Sequence, residues 1–277
     1  MRAWVLVAAS CGPPASAPTV PPPVVVETLE PAPAVRGSPG CGKVPGDVMD
    51  GRIVVDALDR TFVIDVPSSY DPRQPLPIAY GFHGNWDSGA GARKGYRLAQ
   101  QWGEPMIAIY PDGLREAPDK PTTWAFDAGS RDFAFFDALH KVVLAQLCVD
   151  LDRVFVFGYS SGGFMASAIA CTHGEMVRGV GAISAGLNAK SCAEPVAAFL
   201  AHGASDPIVP LHLGLQGRAT WTKANRCKGK GEPTRDADGC ERFACEQPVV
   251  WCTHPGPHKL LPDGPGDAVE FFRSLDD

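Results

Sequence analysis

The sequence lacks a long hydrophobic run, a block of basic residues and any Cys-x-x-Cys pair. No segment approaches the ~18 consecutive apolar residues that a membrane-spanning helix requires. The charge of −6 is mild and dispersed, so neither a nucleic-acid surface nor a polybasic membrane patch is indicated. Without paired cysteines at ligand spacing, a structural zinc site is not indicated either. What remains is a globular chain of 277 residues, in which 45% hydrophobic residues can form a sizeable core.

Residues 1–10 resemble a bacterial export signal. A positive charge at Arg2 is followed by an apolar stretch and by small residues immediately before Cys11. This pattern predicts an exported protein, extracellular or anchored at the outer membrane, in which Cys11 carries the lipid. The apolar stretch is short, and Ala8 stands where lipoprotein signals usually have Leu.

The cysteine count also predicts export. With Cys11 set aside, eight cysteines remain, an even number compatible with four disulfides formed in an oxidising compartment. Their connectivity does not follow from the sequence, although Cys240 and Cys245 are close enough along the chain to pair locally. The other six are Cys41, Cys148, Cys171, Cys192, Cys227 and Cys252.

Composition divides the chain into a tether and one domain. Residues 11–40 are rich in Pro, Ala and Val, and such a segment lacks backbone donors and cannot bury a core. We therefore expect an extended tether over 11–40 and a single catalytic-sized domain over 41–277, without an internal repeat.

Within that domain, short apolar runs alternate with longer amphipathic stretches, which predicts an α/β fold with a doubly wound, mostly parallel sheet. The clearest helix is 131–147, where Phe136, Leu139 and Val143 share one face. A second helix is expected over 268–275. The predicted strands are 52–58 and 61–66, paired antiparallel, then 76–82, 106–110, 153–157, 179–184, 196–201 and 248–252. Functional sites in such folds lie beyond the carboxyl ends of the strands.

The segment GYSSGG at 158–163 fits the frame Gly-x-Ser-x-Gly with Ser160 at its centre. A predicted strand precedes it and a predicted helix follows it. That context defines a nucleophile elbow, a tight turn that lifts a serine hydroxyl above the sheet edge at a helix N-terminus. Ser160 is therefore the candidate nucleophile, and a structural turn serine is the alternative.

A serine hydroxyl needs a base, and the base needs an orienting carboxylate. In this fold the expected chain order is Ser, acid, His. Asp206 follows a predicted strand and suits the acid, although Asp is also common as a turn residue. Only His254 and His258 follow the last strand; we favour His258 because a closing helix comes after it, and His254 is the alternative.

Ester hydrolysis also needs fixed N–H donors for the oxyanion. One expected donor is the backbone N–H of Ser161, the residue after the nucleophile, which gives the second serine of GYSSGG a role through its position. The other should come from the loop after strand 76–82, where GFHGN places the N–H of Asn85. An ordinary turn is the alternative for this loop.

Together these residues resemble the secreted feruloyl esterase and polyhydroxybutyrate depolymerase group of α/β-hydrolases. The resemblance covers essentially 41–277 and implies a cofactor-free serine esterase with Ser160, Asp206 and His258 as its triad. Two features depart from the group: Ser161 stands where Asn is usual, and the loop around His258 lacks the usual Gly-Gly-His-x-Trp-Pro. The matching motifs are CGK at 41–43, GFHG-N at 81–85, YPDG at 110–113, RDFAFFDAL at 131–139, LCVDLDRVFVFGYSSGGFMA at 147–166, HGASDPIVP at 202–210 and PVVWC…GPH at 248–258.

The resemblance implies hydrolysis of feruloyl esters of plant cell-wall polysaccharides, with polyhydroxybutyrate or polyester depolymerase and acetylxylan esterase as alternatives. A surface-anchored binding protein that keeps the fold without activity is an alternative of another class. Trp86 and Trp124 are expected near the site, where they either stack on a substrate ring or pack locally. We expect no metal and no nucleic-acid partner, membrane attachment only through a lipidated Cys11, and a monomer.

Overall fold

The computed structural model describes residue 1 and the ranges 35–234 and 239–275. The predicted export signal, the lipid site at Cys11 and most of the predicted tether lie outside these ranges. None of the helices within them has the length and apolar composition that a membrane span requires.

The described ranges form a ten-stranded sheet and a separate two-stranded one. In the order of the large sheet, the strands are β1 (Arg52–Val55), β2 (Leu58–Asp65), β4 (Ile107–Pro111), β3 (Leu76–Phe82), β7 (Val149–Tyr159), β8 (Gly179–Ile183), β9 (Ala197–Gly203), β12 (Val249–His254), β11 (Cys240–Ala244) and β10 (Lys228–Pro233); the small sheet pairs β5 (Leu114–Arg115) with β6 (Thr122–Thr123). The six strands from β4 to β12 in this order are parallel, and antiparallel pairs extend the sheet at both ends. The mostly parallel sheet expected from the sequence is confirmed.

Helices cover both faces of the sheet. They are α1 (Gly89–Tyr96), α2 (Leu98–Trp102), α3 (Arg131–Gln146), α4 (Ser161–Thr172), α5 (Leu211–Ala224) and α6 (Gly264–Arg273), with a short 3-10 helix at Asp47–Asp50. Strand β7 shows the two-sided burial. Val154 and Val156 belong to the core under α3, α4 and α5, whereas Phe155 and Phe157 belong to the core under α1, α2 and α6. The fold is therefore doubly wound, as predicted.

Four disulfides join the eight cysteines of the domain: Cys41–Cys148, Cys171–Cys192, Cys227–Cys245 and Cys240–Cys252. The local pair Cys240–Cys245 considered from the sequence is wrong. Cys240 begins the extended strand β11 and Cys245 follows its end, so about 3.3 Å of rise per residue holds them much further apart than a disulfide allows. Cys240 instead lies opposite Cys252 in the register of β11 and β12.

The contacts of the domain begin before the predicted boundary at Cys41. The N–H of Ser38 donates to the carbonyl of Val149 at 2.8 Å, and Gly37 forms an antiparallel bridge with Asp150. Residues 36–38, assigned to the tether by their composition, therefore pair with the start of β7, and the N–H of Gly40 donates to the carbonyl of Leu144 in α3. Proline content alone misplaces this boundary because the backbone groups around Pro39 still pair.

Candidate active site

Ser160 lies between the end of β7 and the start of α4. Its backbone has φ 56° and ψ −126°, a conformation that a non-glycine residue rarely adopts. Its N–H donates to the carbonyl of Ile183, the last residue of β8, at 2.9 Å. Such conformations cost about 1–3 kcal/mol and persist only where the surroundings impose them. The turn therefore has the strained geometry of the nucleophile elbow that the sequence predicts.

The glycines that flank this turn permit a close approach of backbone to backbone. A Cβ added to Gly158 would lie 2.1 Å from the carbonyl oxygen of Gly162. A Cβ added to Gly162 would lie 1.9 Å from the carbonyl oxygen of Phe82 and 2.6 Å from that of His83. Both neighbours are backbone, which cannot move aside as a flexible side chain would. These glycines let α4 begin directly against the end of β3.

We expect Gly162→Ala to lower the free energy of unfolding by about 3 kcal/mol, because the added methyl must push α4 away from β3. Chemical denaturation measures this change. Gly95 is the matched control, since it also lies in a helix but a Cβ there meets nothing within 4 Å. Gly95→Ala should stabilise the protein by up to about 1 kcal/mol. Equal effects of the two substitutions would contradict the close approach at Gly162.

The structure brings Ser160, His258 and Asp206 together. His258 Nε2 lies 2.9 Å from Ser160 Oγ, and His258 Nδ1 lies 2.6 Å from Asp206 Oδ2. Because an ionised carboxylate only accepts hydrogen bonds, the imidazole proton lies on Nδ1, and Nε2 accepts from the serine hydroxyl. Three side chains from distant parts of the chain thus form one hydrogen-bonded series.

Asp206 lies in the loop after β9 and is held by that loop's own backbone. Its Oδ1 accepts from the N–H groups of Ile208 and Val209, both at 2.9 Å. Burial alone raises the pKa of the Asp206 carboxyl, but the hydrogen bond from His258 and these two N–H groups outweigh it and hold the pKa below its usual value. The carboxylate therefore stays charged and correctly aimed at His258.

His254, the alternative base, lies at the end of β12 and points elsewhere. Its Nδ1 accepts from the N–H of Gly256 at 3.2 Å. Among the described residues, no hydrogen bond joins its ring to Ser160 or Asp206, and its Nε2 has no partner. The loop that follows β12 carries His258, not His254, to Ser160.

The two expected oxyanion donors meet at the same sheet edge. Ser161 is the first residue of α4, so its N–H has no acceptor within the helix. Asn85 follows β3, which pairs with β7 so that Phe82 lies opposite Gly158. A Cβ built on Gly84 would lie only 3.6 Å from Ser160 Cβ. The loop before Asn85 therefore passes directly beside the serine.

The two tryptophans differ in their surroundings. Trp86 is 63% exposed at the rim of this edge, where the guanidinium of Arg115 lies 5.5 Å from its ring centroid. Trp124 is 3% exposed, packs edge-to-face on Phe82 at 5.2 Å, and donates its indole N–H to the carbonyl of His83 at 2.8 Å. Of the two roles considered for Trp124, the structure shows local packing, because its ring is part of the core.

Tyr159 is a site residue that the sequence reasoning missed. Its ring lies 5.0 Å from the ring of His258, centroid to centroid, at 32°. Burial, with a smaller contribution from the charge of Asp206, raises the pKa of the Tyr159 phenol to about 12. The sequence feature that could have indicated Tyr159 is its position immediately before Ser160 in the Gly-x-Ser-x-Gly motif. The ring forms one wall against which the imidazole rests.

Among the described residues, no group of three or more His, Cys, Asp or Glu side chains is arranged to hold a metal ion.

Known proteins with a similar sequence or a similar fold include esterases. The sequence model of the phospholipase/carboxylesterase family matches residues 131–238. Two solved structures share the fold, each with a TM-score of 0.58 and 15% identity: an acetyl xylan esterase from Aspergillus awamori, covering 76% of this chain and 94% of that one, and a ferulic acid esterase, covering 81% and 96%. The protein has the α/β-hydrolase fold.

The similar sequences narrow the class to a family. Feruloyl esterase C of Emericella nidulans is 31% identical over 256 residues, which cover 86% of this chain and 91% of the relative. Feruloyl esterase D of Neurospora crassa is 34% identical over 175 residues, covering 60% of this chain and 58% of the relative. The chain belongs to the feruloyl esterase family of α/β-hydrolases and is a serine carboxylic-ester hydrolase.

Proposed function

We propose that this enzyme is an exported serine esterase that hydrolyses feruloyl esters of plant cell-wall polysaccharides, with Ser160 as nucleophile, His258 as base and Asp206 as the orienting acid. The observation that carries the proposal is the hydrogen-bonded series from Ser160 Oγ through His258 to Asp206 Oδ2, at 2.9 and 2.6 Å. The strained backbone of Ser160 supports it, since backbone strain of this kind clusters at active sites.

The first half-reaction forms an acyl-enzyme. Ser160 Oγ attacks the ester carbonyl carbon while its proton passes to His258 Nε2, and the carbonyl oxygen becomes an oxyanion. The N–H groups of Ser161 and Asn85 stabilise that oxyanion; each such donor contributes about 3 kcal/mol to lowering the barrier. His258 then gives the proton to the alcohol oxygen, the C–O bond breaks, and the alcohol leaves.

The second half-reaction releases the acid. A water molecule attacks the acyl carbon and loses a proton to His258 Nε2, so a second oxyanion forms against the same two N–H groups. Collapse of this intermediate breaks the bond to Ser160 Oγ, which recovers its proton from His258. Asp206 accepts a hydrogen bond from His258 Nδ1 throughout and stabilises the imidazolium in both steps.

Two features support a feruloyl substrate. The relatives that match over most of this chain carry the name feruloyl esterase C. The exposed indole of Trp86, one residue after Asn85, offers a flat apolar face on which a phenolic ring can stack. Hydroxybutyrate polyesters and acetylated xylan are the alternative substrates, and neither presents an aromatic acyl group.

Export and anchoring complete the proposal. Four disulfides are typical of proteins that fold in an oxidising compartment. Attachment to a membrane through a lipid on Cys11, a bacterial source and a monomeric state stay predictions.

Hydrolysis rates across a panel of esters test the proposed preference for feruloyl esters. We expect methyl ferulate to be cleaved with a kcat/KM at least about tenfold above that for a hydroxybutyrate oligomer or acetylated xylan, the order of effect that one aromatic contact supplies. Trp86→Ala should reduce this preference while leaving the rate on p-nitrophenyl acetate within about threefold of native, because that small ester does not reach a rim residue. Preference for the oligomer would favour a depolymerase, and preference for acetylated xylan an acetyl esterase.

A further inference from the structure

The segment that supplies Asn85 is tied along its length to a neighbouring segment. We call residues 83–87 the oxyanion loop. The N–H of Trp86 donates to the carbonyl of Thr122 at 3.1 Å, and Thr122 Oγ1 donates to the carbonyl of Asp87 at 2.7 Å. Thr123 Oγ1 donates to Asn85 Oδ1 at 2.7 Å. The loop is therefore fixed to strand β6 rather than free at the surface.

His83 begins this loop and is completely buried. Its Nε2 accepts from the N–H of Gly113 at 2.9 Å, and its Nδ1 lies 2.7 Å from the carbonyl oxygen of Gly84. Since a backbone N–H can only donate, Nε2 is the unprotonated nitrogen, and the ring proton lies on Nδ1. Burial lowers the pKa of His83 and so keeps the imidazole in this neutral form.

The Gly84 carbonyl, which accepts this hydrogen bond, belongs to the peptide group that also carries the N–H of Asn85. The carbonyl of Gly84 and the N–H of Asn85 belong to the same planar peptide unit, in which they point in opposite directions when the bond is trans. The described residues contain no cis peptide bond. A hydrogen bond that fixes the Gly84 carbonyl on one side therefore fixes the Asn85 N–H on the other.

We propose that His83 is a positioning residue for catalysis: by holding the Gly84 carbonyl, it orients the Gly84–Asn85 peptide plane so that the Asn85 N–H faces the oxyanion beside Ser160. The inference rests on the proposed function, in which Asn85 is an oxyanion donor. Without the His83 N–H, the Gly84 carbonyl keeps only the longer hydrogen bond from the N–H of Asp87, at 3.3 Å, and glycine at 84 offers little resistance to rotation of the peptide plane. The donor would then turn away although every atom of the triad stays in place.

The experiment compares His83→Phe, which keeps a ring but removes both ring hydrogen bonds, with His83→Asn, whose side-chain amide nitrogen can still reach the Gly84 carbonyl. We expect His83→Phe to lower kcat on p-nitrophenyl acetate by about 100-fold with little change in KM, as loss of one oxyanion donor does. His83→Asn should recover most of that loss. The pH profile of kcat should keep its shape in both variants, since the pair His258–Asp206 is untouched.

His140→Phe is the matched control. His140 is also a buried histidine with a hydrogen-bonded ring, since its Nδ1 lies 2.9 Å from the hydroxyl of Tyr80 on β3, but it has no contact with the oxyanion loop among the described residues. Active-site titration expresses kcat per folded enzyme, so that loss of stability in any variant does not count as loss of catalysis. We expect kcat per titrated site within about threefold of native for this control.

Two results would overturn the positioning role. The first is a kcat per titrated site in His83→Phe within about threefold of native, where loss of one donor should cost about 100-fold. The second is a kcat per titrated site in His83→Asn no higher than that in His83→Phe. Ser160→Ala in the same assay separates this failure from that of the proposed function. If Ser160→Ala hydrolyses the ester like the native chain, the serine mechanism fails and the role of His83 fails with it.

Discussion

Ser160→Ala is expected to lower kcat for ester hydrolysis by about 10⁶-fold, the size of loss that removing a triad serine causes. In the proposed mechanism the Ser160 hydroxyl forms the covalent acyl-enzyme. Alanine at this position leaves His258 and Asp206 without a hydroxyl to activate. The measurement is the steady-state rate on p-nitrophenyl acetate and methyl ferulate, with the native chain and the variant purified identically.

Ser167→Ala serves as the control for this loss. Ser167 is a buried serine on the same helix α4, and it takes no part in the proposed mechanism. Its replacement should leave kcat within about threefold of native, as most substitutions away from a site do. If Ser160→Ala stayed within tenfold of the Ser167→Ala rate, Ser160 would not be the nucleophile.

His258→Ala is expected to cost as much as Ser160→Ala, about 10⁶-fold in kcat, because base and nucleophile act as one unit. His254→Ala is the matched comparison, since His254 is the last residue of β12 and His258 lies in the loop that follows it. The ring of His254 makes its hydrogen bond to the N–H of Gly256, so its loss should change kcat by less than about fivefold. The pH–rate profiles of the two variants, compared with that of the native enzyme, show which histidine the pH dependence of the rate requires.

A large loss of kcat in His254→Ala with a small loss in His258→Ala would identify His254 as the base. The loop after β12 would then have to rearrange. A large loss in both variants would instead indicate that the loop conformation, and not one imidazole, limits the rate. In that case the double variant would show no further decrease, whereas independent roles give additive effects.

The nucleophile elbow was predictable because its requirements are local. A buried β-branched and aromatic run, two glycines around a serine and an apolar helix all fall within 153–170. The structure places the boundary of β7 and α4 at Tyr159 and Ser161, on either side of Ser160. Local sequence determines this turn since backbone contacts at Gly158 and Gly162 exclude any larger residue.

The positions of Asp206 and His258 followed from topology. In a parallel sheet the carboxyl ends of neighbouring strands meet at one edge, so residues after β7, β9 and β12 converge even though they are far apart in sequence. The choice between His254 and His258 needed more than topology, because it depends on how the intervening loop turns. The closing helix α6 after His258 was the useful signal.

The remaining features depend on pairings that no local pattern encodes. Strand β10 reads KGKGEP, a poor strand sequence, and it forms because it pairs with β11 next to the Cys227–Cys245 bridge. The burial of Trp124 depends on Phe82 from another strand. Likewise, the disulfide of Cys240 follows the register of β11 against β12, which only the assembled sheet defines.

Labelling the native enzyme with a fluorophosphonate and locating the adduct by fragment-ion mass spectrometry shows whether Ser160 or its neighbour Ser161 is the nucleophile. We expect one phosphonyl group per chain, bound to Ser160, with loss of esterase activity in proportion to labelling. A label on Ser161, or full labelling elsewhere while ester hydrolysis continues, would contradict it.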